Sequence, residues 1–224
     1  MKKALTLVVL IVTPSMIFAQ GSIEFNNRTG LVQQWTSAYD STLAPVPVGG
    51  GYVELIATTA GNPLLHPLGV YEGNSGFLPG YSSLAGFLAA NPGWAVPYAG
   101  WGATPFAPAP ISFAPGIFSG GSGVIPSIGD GADADYVVIG WTGPYATYDA
   151  AYSADLANPN SSFFGMSAIT TTHTGQLQIN PGTPVPLSST FQGMTLAPAV
   201  IPEPTTALLG GLGAVLLLLF RRRG

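Results

Sequence analysis

Apolar and polar residues alternate along several short stretches of this chain, which is the pattern of β-strands with one buried face. The clearest stretch is 52–59, bounded by a Gly-rich segment before it and an Asn-Pro turn after it. Its two predicted faces are Val53, Leu55 and Ala57 on one side and Tyr52, Glu54 and Ile56 on the other. We expect the glutamates Glu54 and Glu72 to face solvent. We predict further strands at 22–27, 29–35, 111–118, 163–172, 176–180 and 191–196.

The run 136–142 is apolar almost without interruption and lies between turn signals. A short run of this kind, rich in β-branched and aromatic residues, favours a strand buried on both faces, so we predict the central strand here. Two short helices are predicted as well. One covers 83–90 and ends at an Asn-Pro-Gly sequence, and the other covers 148–156 with Thr147 as its N-cap.

Together these elements predict a mostly β protein with a single β-sandwich-like domain over residues 20–196, followed by a linker at 197–204. Charged residues make up only 7% of the chain, and it contains no cysteine. The surface of the domain must therefore owe its polarity to Ser, Thr, Asn and Gln, and its stability cannot come from a disulfide.

The N-terminal segment has the features of a secretory signal peptide over residues 1–19. Two lysines precede an apolar stretch at 4–12, and the segment ends in Ile-Phe-Ala. We predict cleavage between Ala19 and Gln20. An uncleaved membrane anchor is the alternative, although the apolar stretch is short for a membrane span.

A second apolar run, 205–220, holds no charge and is followed by Arg221, Arg222 and Arg223. A 16-residue helix is roughly 24 Å long, somewhat less than a ~30 Å hydrocarbon core. The run lacks the polar stripe of a surface helix, and arginines after a span mark its cytoplasmic side. We predict a transmembrane helix with an Arg-rich tail over residues 205–224. A C-terminal helix in the protein core is the alternative.

Pro202, Glu203 and Pro204 stand just before this run. The order of Pro-Glu-Pro, a short apolar helix and an arginine cluster, over residues 201–224, resembles the PEP-CTERM sorting signal of Gram-negative bacteria. The resemblance implies that an exosortase, a membrane-embedded cysteine transpeptidase-like enzyme, processes the tail. It also implies delivery of the domain to the cell surface or the extracellular matrix, a setting in which the family accompanies exopolysaccharide production.

The charge of residues 20–200 limits what they bind. Arg28 is the single basic residue of that region, against nine acidic ones, so its formal net charge is −8. A protein with so few cations cannot neutralise a phosphate backbone, which excludes nucleic acid as a partner.

Three aspartates, Asp130, Asp133 and Asp135, lie within a Gly-Asp-Gly-Ala-Asp-Ala-Asp sequence just before the predicted central strand. Closely spaced carboxylates in a glycine-rich loop are typical Ca²⁺ ligands, and calcium is the one cofactor that the sequence indicates. The alternative is a solvated turn, because the sequence does not match an EF-hand and three carboxylates are too few for the ion.

The aromatic residues Trp94 and Trp101 lie between prolines and glycines, where we expect exposed side chains. Exposed aromatic rings can stack on sugars, so the two tryptophans are a candidate glycan-binding platform, with core packing as the alternative. The only histidines, His66 and His173, are too far apart in sequence to indicate a metal site.

These observations predict an exported, non-enzymatic surface or matrix protein that begins as a single-pass membrane precursor. One alternative is a carbohydrate-binding module, which Trp94 and Trp101 exposed on one surface would favour. The other is a secreted hydrolase. Two carboxylates facing each other in a cleft, or His173 beside an Asp and a Ser, would favour that activity.

Overall fold

A computed structural model describes residues 21–64, 81–100, 104–125, 128–175 and 183–198. Of these residues, 44% are in β-structure and 13% are helical, which confirms that the protein is mostly β. The strands are β1 Ser22–Asn26, β2 Val32–Ser37, β3 Asp40–Pro45, β4 Gly51–Thr59, β5 Tyr98–Ala99, β6 Ala109–Pro110, β7 Ser119–Val124, β8 Asp133–Thr142, β9 Phe163–Met166, β10 Thr170–His173, β11 Val185–Pro186 and β12 Met194–Pro198.

The strands form two sheets. The larger is a curled sheet in the order β3-β2-β12-β9-β8-β4-β6, with β10 also paired to β8. The smaller has the order β11-β1-β7-β5. The longest pairing is between β4 and β8, which are antiparallel in an unbroken register from Gly51–Thr142 to Thr59–Ala134.

Helix α1 (Leu84–Ala90) and helix α2 (Tyr148–Ala157) complete the regular structure, with a 3₁₀ turn at Leu187–Ser189. The side chain of Ser83 caps α1 and that of Thr147 caps α2, each by accepting a hydrogen bond from a backbone N–H of the first turn. Both helices were predicted, and both are confirmed within one residue at each end.

Two hydrophobic clusters lie on opposite faces of the β4–β8 pair. The aliphatic cluster contains Val53, Leu55 and Ala57 of β4 and packs against Ile23 and Phe25 of the smaller sheet. The aromatic cluster lies on the other face, beneath the helices, and includes Ile56, Phe87, Trp94, Trp141, Tyr148 and Phe164. The larger sheet therefore has apolar layers on both sides, which is why β8 reads as a continuous apolar run.

The predicted strands at 22–27, 29–35, 52–59, 136–142 and 191–196 are confirmed with shifted ends. The prediction at 111–118 is wrong, because Ile111 is bridged to Phe118 across a tight turn rather than lying in one strand with it. The prediction at 163–172 is two strands, β9 and β10, separated at 167–169. There Ser167 Oγ accepts a hydrogen bond from Val138 N at 2.9 Å and so holds the break against β8.

Several predictions fall outside the described residues. These are the signal peptide at 1–19, the strand at 176–180, the sorting signal at 201–224 and the side chains of His66 and Trp101. Among the described residues, no helix is both long enough and apolar enough to cross a membrane.

Candidate functional site

The most perturbed carboxyl group described is that of Glu54, in the middle of β4. The register places Glu54 opposite Ile139 of β8, on the face that carries the aromatic cluster. Only 6% of its surface is exposed, so the prediction that it faces solvent is wrong. The alternation along β4 was assigned correctly, but both faces of this strand are covered and the acid lies under α1 and α2.

Burial, and to a smaller extent the negative charge of Asp149, raise the pKa of Glu54 from 4.5 to about 7. A carboxyl group loses the solvation of its charged form when it is buried, and a like charge nearby disfavours ionisation again. Such perturbed groups concentrate at functional sites, although structural clusters produce them as well. Near neutral pH, Glu54 therefore exists in both protonation states.

Two hydrogen bonds hold the layer above Glu54 together. Asp149 Oδ1 accepts a hydrogen bond from Leu84 N at 2.8 Å, which joins the first turn of α2 to the first turn of α1. The Tyr148 hydroxyl donates to Tyr81 O at 2.9 Å. Burial raises the pKa of Tyr148, so this phenol keeps its proton and its hydrogen bond throughout the pH range in which proteins are stable.

Trp94 belongs to the same aromatic cluster, and the expectation that it is exposed is wrong. It is 3% exposed, and its indole N–H donates to Pro63 O at 3.2 Å. Its flanking prolines and glycines form a tight connection over the sheet, and Ala95 pairs with Ala57 of β4 beside it. A ring in this position cannot stack on a sugar, which leaves Trp101, outside the described residues, as the remaining half of the predicted platform.

The three aspartates of the predicted calcium loop have separate roles in the structure. Asp135 is buried and accepts hydrogen bonds from Gly61 N at 2.7 Å and from Thr171 Oγ1 at 2.6 Å. Asp133 points to His173, and Asp130 lies in the preceding turn. No group of three acidic or histidine side chains that could hold a metal is found within the described ranges.

The hydrolase alternative called for His173 beside an Asp and a Ser. The structure supplies the contact with an Asp, since His173 lies against Asp133. Their Nδ1 and Oδ1 atoms are 2.9 Å apart, and the side chains are 64% and 60% exposed. The pair lies across the β8–β10 register on an open surface. No serine hydroxyl is hydrogen-bonded to this histidine among the described residues, so the nucleophile of a triad is not part of the arrangement.

A surface groove with a volume of about 380 Å³ lies beside the first half of β12. Beside it, β12 pairs with β9 only at Ala197 and Pro198, and β9 ends at Met166. Its lining residues are all uncharged: Thr29, Gly30, Leu31, Gln33, Met166, Ser167, Ala168, Gln192, Gly193, Met194 and Thr195.

Two buried polar residues were not identified from the sequence. Asn27, the last residue of the predicted strand 22–27, donates to Gly30 O and Gly116 O and accepts from Phe118 N at 2.7 Å. Asp155 of α2 accepts from Ser162 N at 3.1 Å, and burial raises its pKa. Each side chain makes hydrogen bonds to backbone groups that strand pairing leaves without a partner. Both residues therefore have a structural role.

No protein-family model matches the chain, and neither a curated protein sequence nor a solved structure is similar to it.

Proposed function

We propose that this chain is an exported, non-enzymatic protein of the cell surface or extracellular matrix of a Gram-negative bacterium. In this proposal the N-terminal signal directs export, and the PEP-CTERM-like tail makes the chain a substrate of an exosortase. The mostly β domain between them, with its sandwich-like pair of sheets, is the part that is delivered.

The observation that carries the proposal is the order of three features in the sequence. Pro202, Glu203 and Pro204 come first, the uncharged run 205–220 follows, and Arg221, Arg222 and Arg223 come last. A signal peptide places the following residues outside the inner membrane, and one further span returns the chain to the cytoplasm. The arginines are expected on that cytoplasmic side, so the two ends require the same topology.

Within this topology, the Pro-Glu-Pro sequence lies at the outer interface of the membrane. Both prolines have a fixed φ and disfavour a helical conformation in the residue before them, which keeps the segment extended. An extended segment next to a membrane helix is accessible to an enzyme embedded in the same membrane. The single carboxylate of Glu203 is then the group by which the enzyme distinguishes this segment.

The experiment is to follow tail loss and surface delivery of Glu203→Ala in a host that contains the sorting enzyme. Membrane insertion should be unchanged, because the apolar run is intact, while processing should stop. Thr205→Ala is the matched control, since it lies just outside the Pro-Glu-Pro sequence and should be processed normally. Normal processing of Glu203→Ala would remove the exosortase assignment and leave a membrane anchor.

A second candidate function, binding of an uncharged glycan, is favoured by the groove beside β12. Amide and hydroxyl groups of Gln33, Gln192 and Thr195 are hydrogen-bonding partners suited to a neutral polyhydroxylated chain, and the groove carries no charge. The test is binding of neutral exopolysaccharide fragments by calorimetry. Gln33→Ala combined with Gln192→Ala should abolish the heat of binding, whereas equal heats would refute this function.

A further inference from the structure

We propose that β3 pairs edge to edge with β3 of a second copy of this chain, about a two-fold axis at Leu43. The strand stands at the end of the larger sheet, and among the described residues β2 is its only strand partner. Five of its six residues, Asp40, Ser41, Thr42, Leu43 and Pro45, are exposed. Such an edge offers unpaired backbone groups to any extended strand that approaches it.

Hydrogen-bond geometry identifies which backbone groups of β3 are available. Val46 N donates to Val32 O at 3.0 Å, so residue 46 faces β2. Because facing alternates along an antiparallel strand, residue 44 also faces β2, and the N–H and C=O of Leu43 point away from it. A two-fold axis at Leu43 therefore allows the two copies of this residue to exchange a pair of N–H···O=C bonds.

The side chains around that axis match each other. Trp35 lies directly opposite Leu43 in the β2–β3 register, and Leu43 is 45% exposed. Since the two residues form a non-hydrogen-bonded pair, their side chains lie close together on one face. Pairing at Leu43 extends this pair into a row of four apolar side chains, namely one tryptophan and one leucine from each copy.

The charge of β3 itself is compatible with an identical partner and does not attract a basic one. The strand is uncharged from Ser41 to Pro45, and Asp40 lies at one end. An antiparallel arrangement centred on Leu43 places the two copies of Asp40 at opposite ends of the pairing, where they do not repel each other. A basic protein would find no complementary charge on the strand itself. A two-fold arrangement needs only this one surface, which is the simplest route to a dimer.

The hairpin is held ready for pairing by its own polar contacts. The carboxylate of Asp40 accepts hydrogen bonds from Thr42 N at 2.9 Å and from Thr36 Oγ1 at 2.7 Å. Pro45 faces outward, where its missing N–H costs nothing in the isolated chain, and it ends the pairing at that residue. Past Gln34, where the pairing of β2 with β12 ends, the hairpin is a two-stranded ribbon. Such a ribbon is marginal alone, and a third and fourth strand stabilise it.

The experiment uses single cysteines in the full-length chain, which has none of its own. In Leu43→Cys, the two thiols of a dimer face each other at a Cα separation of about 5.5 Å, within the range for a disulfide. In the control Tyr39→Cys, the thiol lies at the hairpin tip and is also exposed. The antiparallel arrangement separates the two copies of that residue by roughly eight residue spacings, or about 27 Å.

We expect mild oxidation in detergent to give several-fold more reducible dimer with Leu43→Cys than with Tyr39→Cys. The yield should rise with salt, because screening reduces repulsion between two domains of like charge. In the chain without an introduced cysteine, Leu43→Lys should lower the dimer fraction measured by sedimentation, and Tyr39→Lys should not. Equal cross-linking of the two cysteine variants, or cross-linking of Leu43→Cys to a different protein, would overturn the proposal.

Discussion

The two faces of the β4–β8 pair are covered in different ways. Toward the smaller sheet, β4 presents Val53, Leu55 and Ala57 to an almost wholly aliphatic and phenylalanine-lined layer. Toward the helices, it presents Tyr52, Glu54 and Ile56 to tryptophan and tyrosine rings. One strand therefore contributes a purely apolar face and a face that contains an ionisable group.

This difference shows that two buried faces of one strand can differ in whether their contribution to stability depends on pH. The aliphatic face contributes free energy that does not change with pH, since none of its three β4 side chains ionises. The aromatic face contains hydroxyl and indole groups with defined partners, and a carboxyl group whose protonation state changes near neutral pH. Stability from the second face therefore depends on the solution.

The largest effect is expected on the aliphatic face. Leu55→Ala removes a fully buried side chain and should lower the free energy of unfolding by about 2–5 kcal/mol. The loss should be the same at pH 5 and pH 8 in urea unfolding. Val48→Ala, at an exposed position, is the control and should change little. A loss that varied with pH would mean that the two faces are not independent.

The next effect concerns Glu54, whose pKa is about 7 in the folded chain. Because the folded state binds this proton more tightly than the unfolded state, the contribution of Glu54 to stability should be fully present below pH 4.5 and fall as the pH rises to about 7. The total loss should reach about 3 kcal/mol. Glu54→Gln cannot ionise and should remove that part of the pH dependence.

The measurement is the free energy of unfolding of the original chain and of Glu54→Gln between pH 5 and pH 7, and the two are compared at each pH. Glu24→Gln, at a partly exposed position on β1, is the matched control for loss of one negative charge. If Glu54→Gln and the original chain showed the same slope between pH 5 and pH 7, the carboxyl group would not be buried in solution.

A smaller effect is expected for Trp94→Phe, which removes the indole N–H donated to Pro63 O. Leaving a carbonyl without its donor in a partly buried position should cost about 1–2 kcal/mol. Trp35→Phe, in the exposed hairpin, is the control and should cost less. Thermal unfolding distinguishes the two variants, and an equal cost would place Trp94 outside the cooperative core.

The smallest effect is expected for Asp149→Asn. The amide oxygen still accepts a hydrogen bond from Leu84 N, but the negative charge that raises the pKa of Glu54 is removed. The pH interval over which stability falls should therefore move to lower pH. A titration of the Glu54 side chain by nuclear magnetic resonance measures this directly, and an unchanged or higher pKa would contradict the assigned electrostatic contact.

Local patterns were sufficient for the features that local physics determines. Alternation assigned the two faces of β4, the Asn-Pro-Gly sequence placed the end of α1, and Thr147 as N-cap placed the start of α2. Strand β7 was missed because Ser-Gly-Gly-Ser-Gly-Val has no apolar alternation. Its glycines are explained only by the assembled fold, since a Cβ at Gly120 would meet the ring of Phe25 and one at Gly123 would meet Tyr98 O.

The candidate site was less predictable for the same reason. Periodicity established that Glu54 and Val53 face opposite ways, but not that two helices distant in sequence cover the acid. Proline and glycine around Trp94 indicated a loop correctly, whereas exposure of the ring depended on Pro63 and the helix layer. Spacing brought the three aspartates together along the chain, but hydrogen bonds from Gly61 and Thr171 directed Asp135 elsewhere.

The position of β12 has a consequence for how the protein folds as it is made. This strand, near the end of the described chain, lies inside the larger sheet, where it pairs in parallel with β2 and antiparallel with β9. The β2–β3 hairpin, formed within the first 45 residues, therefore has no sheet to join until residues 194–198 have been synthesised. Contacts of such long sequence separation form slowly, so the sheet closes only after nearly the whole domain has been synthesised.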